Sequence, residues 1–169
     1  MPAWLTVYCR KPLHAMDAER LSLGITHRDP EAPAGVDYPT LAEGYDIDED
    51  DAAAALSALT VREDRGGLEV FYGPTRPLVL HRWTARERVV EEIAECREVR
   101  APPASVGDRL DATAEVVGIE MGFSQLEDMG IVLAFEIARW LAQRGDGLIV
   151  DDEDHWYLAD AGALQAVED

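Results

Sequence analysis

Residues 68–83 read LEVFYGPTRPLVLHRW: a run from Leu68 to Tyr72 and a run from Leu78 to Trp83, parted by Gly73-Pro74-Thr75-Arg76-Pro77. Both runs are rich in β-branched and aromatic residues, and the segment between them holds one glycine and two prolines, so the stretch reads as a β-hairpin. A hairpin pairs antiparallel neighbours directly, without a crossover helix, and that decides against an all-parallel α/β sheet.

Working outward from the hairpin, Thr84 and Glu87 form a capping-box pattern that opens a helix to about Val99, stopped by Pro102-Pro103. Ser105 opens a short helix to Asp111, and AEVVGIEM over residues 114–121 reads as a central strand. Ser124 with Glu127 is a second capping box, placing a helix over residues 125–144 that ends at Gly145. Two short strands follow, at residues 147–150 and 155–158, around the acidic turn Asp151-Asp152-Glu153-Asp154. Upstream, WLTVYC at residues 4–9 reads as a strand stopped by Lys11-Pro12, followed by a weak helix from Ala15 to about Leu23. Residues 29–44 carry Pro30, Pro33, Gly35 and Pro39 and read as a long loop facing a partner or acting as a lid. The acids at residues 48–51 suit the N-terminus of an alanine-rich helix reaching about Leu59.

The order β, α, β, β, α, then β, α, β, β predicts an α+β fold with a mixed or mainly antiparallel sheet covered by helices on one side. At 169 residues the chain fits one domain, residues 1–169. Gly67-Leu68-Glu69-Val70 is echoed by Gly147-Leu148-Ile149-Val150, which suggests two βαββ halves. Periodicity places Leu5, Val7, Val70, Leu80, Val117, Ile119, Leu133, Ile137 and Leu141 in the core.

Hydrophobic residues make up 47% of the chain and charged residues 29%, a globular composition. The 34 acids outnumber the 15 Lys and Arg residues, for a formal charge of −19. Such a field repels nucleic acid and anionic membranes and attracts basic proteins. The excess is uneven: residues 1–85 carry 14 acids and 8 bases, residues 86–169 carry 20 and 7. No basic, apolar leader opens the chain and no apolar run is long enough to cross a bilayer, so a cytoplasmic location is expected. Cys9 and Cys96 read as small core residues rather than a disulfide.

Tests for familiar chemistry fail. Asp46-x-Asp48-x-Asp50 begins like a calcium loop, but the required Gly and Glu positions hold Asp51 and Ser57. Ser124 lacks the flanking glycine of a nucleophile elbow. No phosphate-binding glycine loop occurs, and His14, His27, His81 and His155 fall at no metal-ligand spacing, so neither cofactor nor metal is expected. Glu120, inside a largely apolar strand, is the candidate for an acid of raised pKa. It would need a histidine near residues 29–44 for catalysis, and its structural alternative is an ion pair with an arginine such as Arg82.

Three features suit binding. Glu87, Glu91, Glu95 and Glu98 form an acidic ridge opposite the apolar Val89, Ile93 and Cys96 of one helix. The helix opened by Gln125 and closed by Arg144 is apolar nearly all round, which means enclosure or a homodimer through Phe135, with Glu136 and Arg139 as an i,i+3 pair. Asp151, Asp152, Glu153 and Asp154 beside Trp156 and Tyr157 join negative charge to aromatic anchors, the favoured patch for a basic protein.

In IARWLAQRGDGLIVD, residues 137–151, a helix breaks at glycine into a short strand and an acidic turn. With the chain's size and acidity, this run resembles the small immunity proteins that neutralise bacterial polymorphic toxins. The resemblance implies a stoichiometric inhibitor of a basic toxin or enzyme, with no catalytic residues of its own. The competing expectations are an enzyme built on Glu120 and an acidic homo-oligomer whose charge serves solubility.

Overall fold

A computed structural model of the chain describes every residue except Ala15, Gly66, Ala161 and Asp169. Strands β1 (Ala3–Cys9), β2 (Thr60–Asp64), β3 (Gly67–Phe71), β4 (Leu78–Trp83), β5 (Glu115–Met121), β6 (Gly147–Val150), β7 (Trp156–Asp160) and β8 (Ala163–Ala166) form one sheet in the order β2-β3-β4-β5-β1-β6-β7-β8. Every neighbouring pair is antiparallel. The fold is α+β. The helices are α1 (Ala18–Ile25), α2 (Tyr38–Gly44), α3 (Glu49–Ser57), α4 (Arg86–Arg100), α5 (Gly107–Asp111) and α6 (Met129–Gly145).

Side-chain alternation along the central strands divides the core in two. Leu5, Val7 and Cys9 of β1 and Val117, Ile119 and Met121 of β5 face a first core closed by α1, α2, α3 and α6. Tyr8 and Val116, pointing the other way, join Leu148, Val150 and Trp156 under Val89, Ile93 and Cys96 of α4 and Leu110 of α5. Helices therefore cover both faces, not one. The stripe of α4 is only three residues wide and fits either face, and its helix packs opposite α6. All nine residues expected in the core are buried. Cys9 and Cys96 are free thiols in different cores.

Two strands escape a reading of pattern. Thr60–Asp64 is mostly exposed and charged, and Ala163–Ala166 is short; both are edge strands, where polar residues discourage pairing with other chains. Both halves run strand, helix, three-strand meander, but the first meander enters at the far edge and runs inward while the second starts beside β1 and runs outward. The echoing segments thus occupy non-equivalent places: β3 is next to an edge, β6 next to a central strand.

Helix starts also differ from the expected caps. Ala85, not Thr84, precedes α4 and makes no side-chain cap. Asp128 rather than Ser124 caps α6, accepting from the Gly130 amide at 2.7 Å, while residues 123–126 form a 3-10 turn in which Gln125 accepts from the Gly122 amide. At the far end, Gly145 is the last helical residue and the left-handed position falls on Asp146 (φ 49°). Gly145 answers a different need: a Cβ there would lie 2.7 Å from the Cys9 sulfur, so glycine lets α6 close onto β1.

Candidate functional site

Residues 29–44, expected as a long loop facing a partner or acting as a lid, are instead fastened to α6 in their first part, and α2 occupies the second part. Asp29 accepts from the Trp140 indole and from Arg144, each at 2.8 Å, and Arg139 donates to the Pro33 carbonyl. Burial pushes the Asp29 carboxyl up, but the Trp140, Glu31-amide and Arg144 hydrogen bonds outweigh it and hold it below the ordinary range. Beside it, His27 lies 2.6 Å from Glu136 and stacks on Tyr38, and Arg139 closes on Glu136 at 3.1 Å, the expected i,i+3 pair. Phe135 lies between Tyr45 and Tyr157 of the same chain, and α6 is mostly buried.

Glu120 lies on the opposite face from this network, beside Trp4, so the sheet separates it from His27. Its partners are His81 at 3.0 Å and Arg76 at 3.2 Å. The expected Arg82 pairs instead with buried Glu115 at 2.7 Å, on the first face, where Glu115 also accepts from the Leu13 amide. The carboxylate–histidine combination weighed for catalysis is not assembled. Asp48 caps α3, accepting from the Asp50 amide, and among the described residues no three His, Cys, Asp or Glu side chains converge as for a metal.

The acidic turn is well ordered by its own bonds. Asp151 accepts from the amides of Glu153 and His155, both at 2.9 Å, and from the Tyr157 hydroxyl at 3.0 Å. Asp154 pairs with Arg100 at 2.8 Å, and Arg100 also donates to the Asp151 carbonyl. Asp152 and Glu153 are exposed. The aromatic half of this patch needs correction. Alternation in β7 sends Trp156 and Tyr157 to opposite faces: Trp156, 4% exposed, stacks on Tyr8 in the second core, and Tyr157 meets Phe135 on the first. Trp156 is a core residue and not an exposed anchor.

The ridge keeps its expected place. Glu87, Glu91, Glu95 and Glu98 are all exposed along α4. Through Arg100, the C-terminal end of α4 is tied to the acidic turn, so ridge and turn belong to one surface.

That surface borders a groove that the sequence reading missed. α4 covers only part of the second sheet face, and between its edge and the sheet lies a groove of about 320 Å³. Its floor is Trp4, Thr6 and Tyr8 of β1 with Trp83 of β4; Glu92, Glu95 and Val99 are among the residues of its α4 wall. Gly118 of β5 makes the floor possible: a Cβ there would lie 3.1 Å from both the Trp4 and the Trp83 rings. His81 bridges the two indoles, with centroids 5.2 Å from Trp4 and 6.1 Å from Trp83. On the wall, Arg88 is held by Glu91 at 3.0 Å and Glu92 at 2.6 Å and lies 5.7 Å from the Trp83 ring centre. Burial pushes the Glu92 carboxyl up; Arg88 opposes this, and Glu95 and Glu91 add to it. The signals in the sequence were Gly118 inside an apolar strand and the alternation that turns Trp4 away from Leu5.

Comparison of the chain with models of known protein families, with curated proteins and with solved structures finds no match.

Proposed function

We propose that the chain is a stoichiometric binding protein, an immunity-type inhibitor that occludes a basic toxin or enzyme. The observation that carries this reading is the concentration of acid on one surface: four exposed glutamates along α4, continued by Asp152 and Glu153 across the Arg100 link. Like charges three or four residues apart on a helix cost a few tenths of a kcal/mol each, and only Glu91 of the four has an ion pair among the described residues. A basic partner relieves that repulsion. Opposite fields also speed encounter, which suits an inhibitor that must reach its target before damage is done.

The test is kinetic. A basic protein captured from native cells at low salt is purified and its association measured with the native chain and with Glu91→Gln, Glu95→Gln, Asp152→Asn and Glu153→Gln combined. The expected result is slower association with a flatter salt dependence and a smaller change in dissociation, together with loss of the partner's activity at one equivalent of native chain. Association rates that do not respond to the four substitutions, or a partner that stays active when saturated, would overturn the reading.

A further inference from the structure

We propose that the groove between α4 and the uncovered part of the second sheet face is an arginine-binding site, the anchor point for the basic partner. The inference rests on the reading above for the identity of the partner, but the site stands on its own geometry.

The floor is mostly aromatic. The Trp4 and Trp83 rings flank Gly118, each 3.1 Å from where a Cβ would stand, and His81 packs beside both. An indole face attracts a cation through its quadrupole, and a guanidinium adds planar stacking that an ammonium lacks. The chain itself shows the arrangement twice: in the groove Arg88 lies over Trp83 while Glu91 and Glu92 grip its guanidinium, and on the first face Arg144 lies over Trp140 with Asp29 and Glu31. Trp4 has no such cation over its ring among the described residues, although it sits beside Glu120 in the β1–β5 register and lines the same groove as Glu95.

Charge selects the same ligand. Arg88 and Arg100, the two cations of the wall, are already matched, the first by Glu91 and Glu92 and the second by Asp154. Glu95 has no ion pair among the described residues and lines the groove. An incoming guanidinium therefore finds one carboxylate without an ion pair and, in Trp4, one half-buried indole that lines the groove with no cation over it among the described residues. Val99, 71% exposed on the wall, offers apolar surface for the methylene stem. About 320 Å³ lies at the small end of ligand pockets, room for one long side chain.

The experiment uses the capped peptide acetyl-Gly-Arg-Gly-amide as probe, with citrulline and lysine replacing arginine in two controls. The readout is the four indole N–H resonances. Trp4 and Trp83 report the groove, whereas Trp140 and Trp156 sit in the two cores and serve as internal references. The expected result is a saturable shift of the Trp4 and Trp83 signals with those of Trp140 and Trp156 unmoved. Citrulline should bind about tenfold more weakly, and lysine more weakly than arginine. Trp4→Ala should weaken the peptide about threefold to tenfold, and Glu95→Gln, at an exposed position that leaves the fold untouched, should weaken it in the same direction. Silent Trp4 and Trp83 signals, equal binding of citrulline, or tighter binding of lysine would overturn the arginine site. The two proposals fail separately. Peptide shifts without any basic protein partner leave the site standing and remove the inhibitor reading; a basic partner whose binding is indifferent to Trp4→Ala and Glu95→Gln does the reverse.

Discussion

The two faces of the sheet are built from the same strands and are treated differently. Four helices close the first face, and its polar groups are locked into pairs: Asp29 with Trp140 and Arg144, Glu136 with His27 and Arg139, Glu115 with Arg82. On the second face α4 and α5 cover the end around Tyr8, Val116 and Trp156 and leave Trp4, His81 and Trp83 partly open. Stability is concentrated where burial is complete, and recognition is free to use the face where it is not. The exposed acidic ridge lies on α4, the helix that borders the open part of this face.

The largest expected contrast is between tryptophans. Trp140→Ala removes a fully buried indole whose N–H is bonded to Asp29 and should cost about 3–5 kcal/mol in denaturant unfolding. Trp156→Ala should approach that range, and Trp4→Ala should cost no more than about 1 kcal/mol. Equal costs for Trp4 and Trp140 would erase the distinction between the faces. Next, Arg139→Met should cost about 3 kcal/mol or more, because among the described residues it leaves the buried Glu136 carboxylate with His27 as its one side-chain partner. Unfolding curves of Arg139→Met and the double variant Arg139→Met with Glu136→Gln check it: the second change should restore part of the loss.

Acid should weaken two carboxylate fastenings, at Asp29 and at Asp146. Asp29 is held below the ordinary carboxylate range, burial opposing but hydrogen bonds from Trp140, the Glu31 amide and Arg144 prevailing. At Asp146, burial likewise pushes up and Arg10 and Arg109 prevail. A depressed folded-state pKa contributes stability that is full above the unfolded value, about 3.9 for aspartate, and lost as pH falls through the lower folded value. Stability measured from pH 6 downward should therefore fall below about pH 4, and more gently in Asp29→Asn and Asp146→Asn, which have less to lose. Smallest of all, Asp152→Asn with Glu153→Gln should change stability by less than about 0.5 kcal/mol, since both side chains are exposed.

Much of this was legible in the chain. The alternation of Trp4-Leu5-Thr6-Val7-Tyr8-Cys9 and of residues 115–121 names the buried positions, and the segment 68–83 gives the hairpin. What alternation cannot give is which helix lies on which face. Three apolar residues on α4 are compatible with either side, so the open part of the second face and its groove stayed hidden. Nor does local pattern reveal bonds across more than a hundred residues, such as Arg144 to Asp29 and Arg139 to Pro33, which turn an apparent lid into a cover for α6. Trp156 and Tyr157 misled for a related reason: adjacency in a strand means opposite faces, and only the sheet's covering shows which face is closed.

The proposed basic partner binds the open second face. Oxidative footprinting of the tryptophans in the purified complex tests it most directly. The prediction is strong protection of Trp4 and Trp83 on binding, with Trp140 and Trp156 equally slow to react in the free and bound chain. Unchanged oxidation of Trp4 and Trp83, with protection appearing instead at exposed Tyr45 on the helical side of the first face, would contradict it.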